Sequence, residues 1–438
     1  MHVSPPPYPS FAEALRFWLK LGFISFGGPV GQVAIMHEYL VEKKKWISEK
    51  RFIHALNYCM LLPGPEAQQL ATYMGWLLHG TRGGIAAGVL FFLPSALILW
   101  ILSFLYVTYG QNPVSAAIFD FLKPAVVAIV ITAVYKIGKK SLHTLWHYML
   151  AMAAFVAIYF YDISFPLILL VAVLAGVLLL HIFKEKFITD DIEKAIAVQE
   201  EGYLIRGDSI IPGAGFTIRR FVFQVLAGII LWCLPFALMY ILFQEDFTFW
   251  QKLIIFFTKA AVVTVGGAYA VLPYVAQVSV ETFGWLTRLE MIDGLALGET
   301  TPGPLIMVLA FVGFMAAYNT FGGSIMAATL GLVITTFYTF LPSFLFIFAG
   351  APLIERTHSN TYMRSLLGFI SAAVTGVVLN LAVYFGIAVI LPEPSHILWI
   401  PLAWTIISFF VLHFLNVHMI LWLGISVLAG IVKFLIIS

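Results

Sequence analysis

The feature that most constrains this chain is a set of glycines and prolines that recurs after 239 residues. Gly27-Gly28 recurs as Gly266-Gly267, and Pro63-Gly64-Pro65 recurs as Pro302-Gly303-Pro304. Glycine and proline restrict the backbone more than they fill space, so a shared set of them indicates that two stretches of chain bend in the same way. Such breaks, duplicated within apolar sequence, are typical of transporters built from structural repeats.

Composition places the chain in a lipid bilayer. It is 61% hydrophobic and 11% charged, whereas soluble domains carry about 25% charged residues and need them to cover a water-facing surface. The net charge of +2 gives no indication of nucleic-acid binding. Neither the two cysteines nor the histidines form a metal-binding pattern, and no nucleophile, Walker or haem motif is present. We therefore predict no metal, no cofactor and no enzymatic activity.

Thirteen apolar segments are readable, and most of them reach the ~20 residues that a helix needs to cross the hydrocarbon core. They lie at 11–36, 53–79, 84–109, 114–136, 142–161, 163–183, 221–243, 251–280, 291–318, 323–350, 364–391, 397–417 and 419–437. The polar stretch 184–220 holds 13 of the 46 charged residues and is predicted to be a solvated linker.

The order of six segments, one segment and six segments predicts an inverted duplication, because an odd separation reverses the orientation of matching elements. The expected fold is an all-α polytopic membrane protein with two inverted-topology repeats. The predicted parts are a first repeat at 1–183, a charged linker at 184–220, a linking transmembrane helix at 221–243 and a second repeat at 244–438.

The distribution of lysine and arginine predicts a cytoplasmic linker and raises a conflict in the first repeat. If segments 11–36 and 53–79 both crossed, the basic cluster Lys43-Lys44-Lys45 would lie outside the cell. The conflict disappears if both segments enter the membrane and return. We therefore favour broken or re-entrant helices in 11–36, 53–79, 251–280 and 291–318, with full crossing left as the alternative.

The Pro-Gly-Pro motifs predict a helix end followed by a helix start. Proline disfavours helical geometry in the residue before it, so the incoming helix stops near Leu62. Pro65 suits the beginning of a new helix, which we expect to run from about Glu66 to His79. In the second repeat, Thr300 or Thr301 is expected to cap the equivalent helix start.

Four such helix starts near the membrane middle predict an anion site. Each helix N-terminus carries roughly +0.5 charge, so four sum to about +2. Lys20 and Lys259 are candidate cations, and Gln32, Gln68 and Gln69 are candidate hydrogen-bond donors. The predicted substrate-binding set is Lys20, Gly27, Gly28, Pro29, Gln32, Pro63, Gly64, Pro65, Gln68, Lys259, Gly266, Gly267, Thr300, Thr301, Pro302, Gly303 and Pro304. Close helix packing for the glycines and prolines, and interfacial anchoring for the lysines, are the alternatives.

Three acidic residues beside the breaks are candidates for proton coupling: Glu66, Asp293 and Glu299. Acidic side chains within membrane helices are costly and commonly mark ion pathways. None of the three has an acidic counterpart in the other repeat, which suits coupling but equally suits local capping of helix starts.

The family that these motifs resemble is that of the bidomain chromate ion transporters. The resemblance is carried by FGGPVGQVAIMHEYLVEKKKWISEKRF (26–52) with LLPGPEAQQLATYMGWLLHGTRGG (61–84), and by FFTKAAVVTVGGAYAVLPYVAQ (256–277) with MIDGLALGETTPGPLIMVLAFVGF (291–314). It implies two homologous halves and export of chromate from the cytoplasm, driven by the proton-motive force. The residues that fall on the family motifs are Gly27, Gly28, Pro29, Pro63, Gly64, Pro65, Gly266, Gly267, Thr301, Pro302, Gly303 and Pro304.

The sequence is thus interpreted as a multi-pass cell-membrane transporter that exports chromate by alternating access. Sulfate has the same shape and charge, so sulfate transport stays open. An anion channel on the same frame and a membrane scaffold are the rival interpretations. The expected partners are the oxyanion and the bilayer, and the sequence leaves open whether the protein forms a homodimer.

Overall fold

The computed structural model describes residues 5–26, 28–110, 112–182, 202–207, 209, 217–354, 361–393 and 396–437. Over these ranges the protein is helical, and the only β-type pairings there are two isolated bridges. The predicted all-α membrane fold is confirmed. Gly27 and most of the linker lie outside the described residues.

Helices occur in the same order before and after one intervening helix. The first group is α1 (Phe11–Ile24), α2 (Gly28–His37), α3 (Glu49–Cys59), α4 (Glu66–Tyr109), α5 (Pro113–Ser141), α6 (Leu145–Tyr161) and α7 (Phe165–Ile182). The intervening helix is α8 (Ile218–Leu242). The second group is α9 (Phe247–Val263), α10 (Ala268–Gln277), α11 (Arg288–Thr300), α12 (Val308–Thr320), α13 (Ile325–Ile354), α14 (Thr361–Ile390), α15 (Trp399–His413) and α16 (Met419–Ile437).

Helix α4 consists of two arms, 66–78 and 81–109, that fold back on each other. The backbone leaves helical geometry at His79 and Gly80, where Gly80 has φ +63°. A Cβ on Gly75 would lie 2.4 Å from the carbonyl oxygen of Gly83, so the arms touch backbone to backbone. α12 and α13 meet in the same way, through Gly313 and Gly331. The first arm of α4 therefore corresponds to α12, and the second arm to α13.

The long helices have the length and composition of membrane spans. Within the described ranges, seven helices are long and apolar enough to cross a bilayer, and three further apolar helices are shorter. Among them α8 buries little of its surface, and its isoleucine, leucine and phenylalanine side chains face outward. An exposed apolar surface of this extent is stable only against lipid or another apolar partner.

The segments next to the Gly and Pro motifs are half-helices, as predicted. α1 has 14 residues, α2 has 10 and α3 has 11, so none alone reaches the ~20 residues of a span. α3 ends at Cys59, three residues before the predicted stop, and α4 begins at Glu66 as predicted. π-helical turns at Glu38–Lys43 and Val278–Thr282 occupy matching positions after α2 and α10.

A short piece of the linker packs against the first group of helices. Residues 203–205 form a parallel bridge beside the turn before α3: the amide of Ile205 donates to the Trp46 carbonyl, and the amide of Ser48 donates to the Ile205 carbonyl. Ile205 is buried with Trp46 and Phe52. For these residues the expectation of a solvated linker was wrong, because the short apolar run Tyr203-Leu204-Ile205 within the charged stretch packs against the first group of helices.

Candidate functional site

The broken segments of the two repeats hydrogen-bond to each other reciprocally. The amide of Gly64 donates to the carbonyl of Thr264 at 2.7 Å, and the amide of Gly303 donates to the carbonyl of Ser25 at 2.8 Å. Gly64 and Gly303 are 239 residues apart, as are Ser25 and Thr264. Such an exchange of equivalent contacts is the pattern that a two-fold relation produces. We name these places the Gly64 crossing and the Gly303 crossing.

A stacked pair of equivalent phenylalanines lies between the repeats. Phe92 on the second arm of α4 stacks on Phe340 of α13, with ring centroids 4.2 Å apart and planes 11° apart. Both residues belong to a Phe-Leu-Pro-Ser sequence, at 92–95 and 340–343. A residue that touches its own counterpart lies on the two-fold axis, so the serines that follow, Ser95 and Ser343, are carried to opposite sides of it.

Each break is followed by a helix start, so four helix N-termini are associated with the crossings. α2 begins at Gly28 and the first arm of α4 at Glu66; α10 follows Gly267 as its N-cap, and a 3-10 turn that leads into α12 follows Pro304. The N-cap Gly267 has φ +95°, in the left-handed region that favours glycine. These starts present backbone N–H groups that have no partner within their own helix.

The glycines of the Pro-Gly-Pro motifs are required by close contacts as well as by backbone angle. Gly64 has φ +125°, and a Cβ there would lie 2.4 Å from Oγ of Ser343. Gly303 has φ +98°, and a Cβ there would lie 2.9 Å from Cβ of Ser95. Each glycine thus packs against the Phe-Leu-Pro-Ser serine of the other repeat.

The three predicted glutamines are buried at the first-repeat breaks and use their amides on protein groups. Nε2 of Gln32 donates to the Gly303 carbonyl at 2.7 Å and to the Ser25 carbonyl at 3.3 Å. Nε2 of Gln69 donates to the Pro63 carbonyl at 2.6 Å, and Nε2 of Gln68 donates to Oγ1 of Thr72. Through these bonds Gln32 and Gln69 brace the breaks beside them. Each amide nitrogen carries two hydrogens, and the role of the glutamines as oxyanion donors stays a prediction.

Buried polar atoms without a partner gather around the crossings. They include Oγ of Ser25, Oγ of Ser343 and the Oε1 atoms of Gln32, Gln68 and Gln69. Buried polar atoms in native proteins nearly always have a partner, and exceptions concentrate where a ligand or water completes the bonding. Unpartnered buried atoms also occur elsewhere among the described residues, as at Thr335, Thr336 and Thr339 of α13, so it is the position beside helix starts that makes those at the crossings candidate ligand groups.

The two threonines of the second motif do not cap the following helix. Oγ1 of Thr300 donates to the Leu297 carbonyl, and Oγ1 of Thr301 donates to the Gly298 carbonyl. Pro304 is the N-cap of the intervening 3-10 turn, and Met307 is the N-cap of α12 itself. The expected cap was wrong because a hydroxyl that follows a helix end finds free carbonyls one turn earlier.

Lys20 and Lys259 are both exposed, on faces that they share with apolar side chains. Lys20 lies beside exposed Leu19 and Phe23 on α1, and Lys259 lies near exposed Val262 on α9. This setting favours the interfacial alternative. Their role in binding the anion stays a prediction that the geometry does not strengthen.

Two of the predicted acids converge on the start of α10. Oε1 of Glu66 lies 3.9 Å from the position of a Cβ on Gly267. Glu299, which is 5% exposed, accepts a 2.7 Å hydrogen bond from the hydroxyl of Tyr269 on the first turn of α10. The two carboxyl groups come from different repeats. Glu66 lies beside the N-cap of α10, where the helix dipole favours negative charge, and Glu299 reaches α10 through the Tyr269 side chain.

The third acid, Asp293, belongs to a separate buried cluster. The hydroxyl of Tyr106 donates to its Oδ2 at 3.0 Å, and Nζ of Lys123 lies 3.5 Å from its Oδ1. Lys123 does not pair with Asp120, which lies one turn earlier on the same helix. Asp120 pairs with Lys433 of α16 at 2.7 Å instead, because tertiary packing offers each side chain a closer partner than its own helix does.

Four side chains at the crossings and beside the buried acids were not predicted from the sequence: Ser95, Ser343, Tyr106 and Tyr269. For the serines a signal existed, because Phe-Leu-Pro-Ser recurs after 248 residues. That offset differs from 239, so a search at a single spacing does not find it. For the tyrosines no pattern was available, since their importance comes from acids distant in sequence.

Comparison with known proteins gives consistent matches over most of the chain. The sequence profile of the family described as Chromate transporter matches residues 12–177 and 251–431, and leaves the linker and all of α8 unmatched between them. A chromate transport protein of Pseudomonas aeruginosa is 31% identical over 380 residues, which covers 85% of this chain and 80% of the relative. An uncharacterized transporter of Methanocaldococcus jannaschii is 27% identical over 384 residues, covering 87% and 86%. A probable chromate transport protein of Synechococcus elongatus is 27% identical over 386 residues, covering 88% and 86%. No solved structure matches the chain.

Proposed function

The chain belongs to the chromate transporter family, and from that premise we propose that it exports chromate from the cytoplasm as a secondary active transporter. Chromate binds between the Gly64 and Gly303 crossings, and the proton-motive force drives its release outside. The relatives named as chromate transport proteins support the substrate. The site, the direction and the coupling rest on the physical arguments that follow.

The observation that carries the proposal is the meeting of helix starts and unpartnered polar atoms at the crossings. Four helix N-termini provide about +2 of partial charge, which matches a doubly charged oxyanion without placing a full cation in the membrane. Oγ of Ser25 and Oγ of Ser343 have hydroxyl hydrogens available to a ligand.

Alternating access follows from the two-fold pattern at the crossings. If the axis lies in the membrane plane, as the inverted order of segments predicts, the two repeats present the same site to opposite sides of the membrane. The crossings then act as the fixed contact about which the half-helices rock. In this arrangement the linker and the basic turn Lys43-Lys44-Lys45 face the cytoplasm.

Proton coupling is assigned to Glu66 and Glu299, since both adjoin the start of α10. Glu299 accepts a hydrogen bond from the hydroxyl of Tyr269, and the positive charges of Lys136 and Lys140 on α5 act on Glu299 and Glu66 respectively. A carboxylate beside a bound dianion is repelled by it, and a protonated carboxyl group is not. Protonation of these acids therefore favours chromate binding on the cytoplasmic side and loss of the proton favours its release outside, while the membrane potential, negative inside, drives the dianion outward. Asp293 is an alternative coupling group with a cation, Lys123, already in place.

Expression in a chromate-sensitive bacterial host tests transport and its direction. We expect cells that express the protein to accumulate less radiolabelled chromate than vector controls and to grow at higher chromate. Equal accumulation, with the protein present in the membrane, would contradict export.

Proteoliposomes separate the transporter from the channel and chromate from sulfate. We expect uptake into inside-out vesicles to accelerate when a proton gradient is imposed and to slow when the gradient is collapsed. Flux that follows only the chromate gradient would identify a channel. Unlabelled sulfate added in excess measures selectivity, and inhibition would show that both dianions use one site.

A further inference from the structure

We propose that Ser343 and Ser95 are oxyanion ligands, each donating its hydroxyl hydrogen to the transported dianion from one side of the Phe92–Phe340 stack. This inference rests on the proposed function and names side chains that neither the motifs nor the family match single out. It also predicts unequal contributions, with Ser343 the stronger ligand.

Ser343 is a buried hydroxyl without a protein partner. The residue is 1% exposed, and its Oγ has no hydrogen-bond partner among the described residues. The usual solution for a serine in a helix is to donate to the carbonyl four residues earlier, as Ser103 does to Leu99 at 2.6 Å. Ser343 does not do so, and its Oγ lies against Gly64, immediately before the N-terminus of α4.

Ser95 occupies the equivalent place at the Gly303 crossing with one difference. Its Oγ lies 3.5 Å from Oγ1 of Thr301, at the long limit for a hydrogen bond. Residue 62, which precedes the first Pro-Gly-Pro motif as Thr301 precedes the second, is Leu. The hydroxyl of Ser95 therefore has a weak competing partner that Ser343 lacks.

The position of both serines on long helices suits ligands better than packing. Each follows a proline, and the stacked phenylalanines three residues earlier hold the two helices together at the axis. A serine hydroxyl adds a donor without adding charge, which leaves the helix N-termini to balance the dianion. A tetrahedral oxyanion placed between the crossings then meets one hydroxyl from each repeat.

The test compares Ser343→Ala and Ser95→Ala with Ser103→Ala as a matched control on the same helix as Ser95. For each variant, chromate transport kinetics are measured in proteoliposomes and the Tm of purified protein is measured without chromate. We expect Ser343→Ala to raise KM about 10-fold with Vmax nearly unchanged, because hydrogen bonds to charged groups are among the stronger ones. We expect about 3-fold for Ser95→Ala and no change in KM for Ser103→Ala.

The Tm distinguishes a ligand from a structural serine. Removing a buried hydroxyl that has no partner does not destabilise the fold, so we expect Ser343→Ala to keep or raise the Tm. A lowered Tm with unchanged KM would overturn the assignment, since it would show that the hydroxyl serves the fold. An unchanged KM and Tm would overturn it as well.

The failure of this inference can be told from the failure of the proposed function. If Ser343→Ala is silent while Gly64→Ala abolishes chromate transport, the crossings bind chromate without the serines. If the unmodified protein in proteoliposomes moves no chromate at all, both the proposed function and the serine ligands are wrong.

Discussion

The Gly64 crossing and the Gly303 crossing share a backbone and differ in their side chains. Both have a glycine amide bonded to the C-terminal end of a half-helix in the other repeat. At the Gly303 crossing Gln32 bridges two carbonyls, whereas the equivalent residue of the second repeat is the apolar Val271. At the Gly64 crossing the helix begins with Glu66, whereas the equivalent residue is Leu305.

The difference indicates that the two related repeats have different roles in one function. Backbone geometry is retained where the anion needs helix starts, and the side chains specialise on top of it. The glutamine braces the Gly303 crossing, so that crossing is suited to hold its geometry. At the Gly64 crossing the glutamine bond, from Gln69 to the Pro63 carbonyl, stays within one repeat, and the acid Glu66 makes this crossing suited to respond to protons.

Adding a methyl group at either crossing glycine has the largest expected effect. Gly64→Ala and Gly303→Ala place a Cβ within 3 Å of a serine of the other repeat, at positive φ, and combine backbone strain with overpacking. We expect chromate transport in cells to fall about 100-fold for both, which corresponds to about 3 kcal/mol. The control is Gly424→Ala, where a Cβ has no atom within 4 Å. Normal transport by both crossing variants would contradict the site.

Neutralising the acids should affect the driving force and spare binding. We expect Glu66→Gln and Glu299→Gln to lose about 10-fold in proton-driven flux, because an amide cannot exchange a proton. Chromate affinity should stay the same or rise, since a negative charge near the dianion is removed. Driven flux and equilibrium binding measured on the same preparations check both parts. A response to the proton gradient that survives in both variants would exclude these residues from coupling.

Removing the glutamine brace should lower stability by a smaller amount. Gln32→Leu leaves the Gly303 carbonyl without its side-chain donor in a buried place, which costs about 1–3 kcal/mol. We expect a lower Tm for Gln32→Leu than for the matched change Val271→Leu in the second repeat. Equal Tm values would show that the two crossings are braced alike.

The smallest expected effect concerns two equivalent tryptophan carbonyls near the membrane boundary. The Trp46 carbonyl accepts from Ile205 of the linker, and the Trp285 carbonyl accepts from Nδ2 of Asn319 in its own repeat at 2.9 Å. Ile205→Val and Asn319→Ala each remove about 1 kcal/mol. Only Ile205→Val should speed proteolysis of the linker, by about fivefold. Equal cleavage of the two variants would show that the linker is not held at this place.

Much of this architecture could be predicted because it depends on local backbone rules. Proline and glycine fix where a helix stops and starts, so the start of α4 at Glu66 and the break at the glycines before α10 can be predicted from the sequence. Long apolar segments are equally readable. In the sequence, the fold-back of α4 at His79 and Gly80 corresponds only to the gap between the predicted segments 53–79 and 84–109.

What could not be predicted depends on contacts between residues distant in sequence. The reciprocal bonds of Gly64 and Gly303 join the two repeats, and nothing local specifies them. The hydroxyl of Thr301 donates to the Gly298 carbonyl of the preceding helix and does not cap the N–H groups of the following one. Lys123 pairs with Asp293 and not with Asp120, because the packing of α5 on α11 brings Asp293 close to it.

The central claim is that chromate binds between the two crossings, and the anomalous scattering of chromium tests it most directly. Crystals of the protein grown with chromate, measured near the chromium absorption edge, locate the metal atom of the bound oxyanion without assumptions about transport. We expect one anomalous-scattering peak between Gly64 and Gly303, within hydrogen-bond reach of Ser343. A peak at Lys20 or Lys259, with none between the crossings, would contradict it.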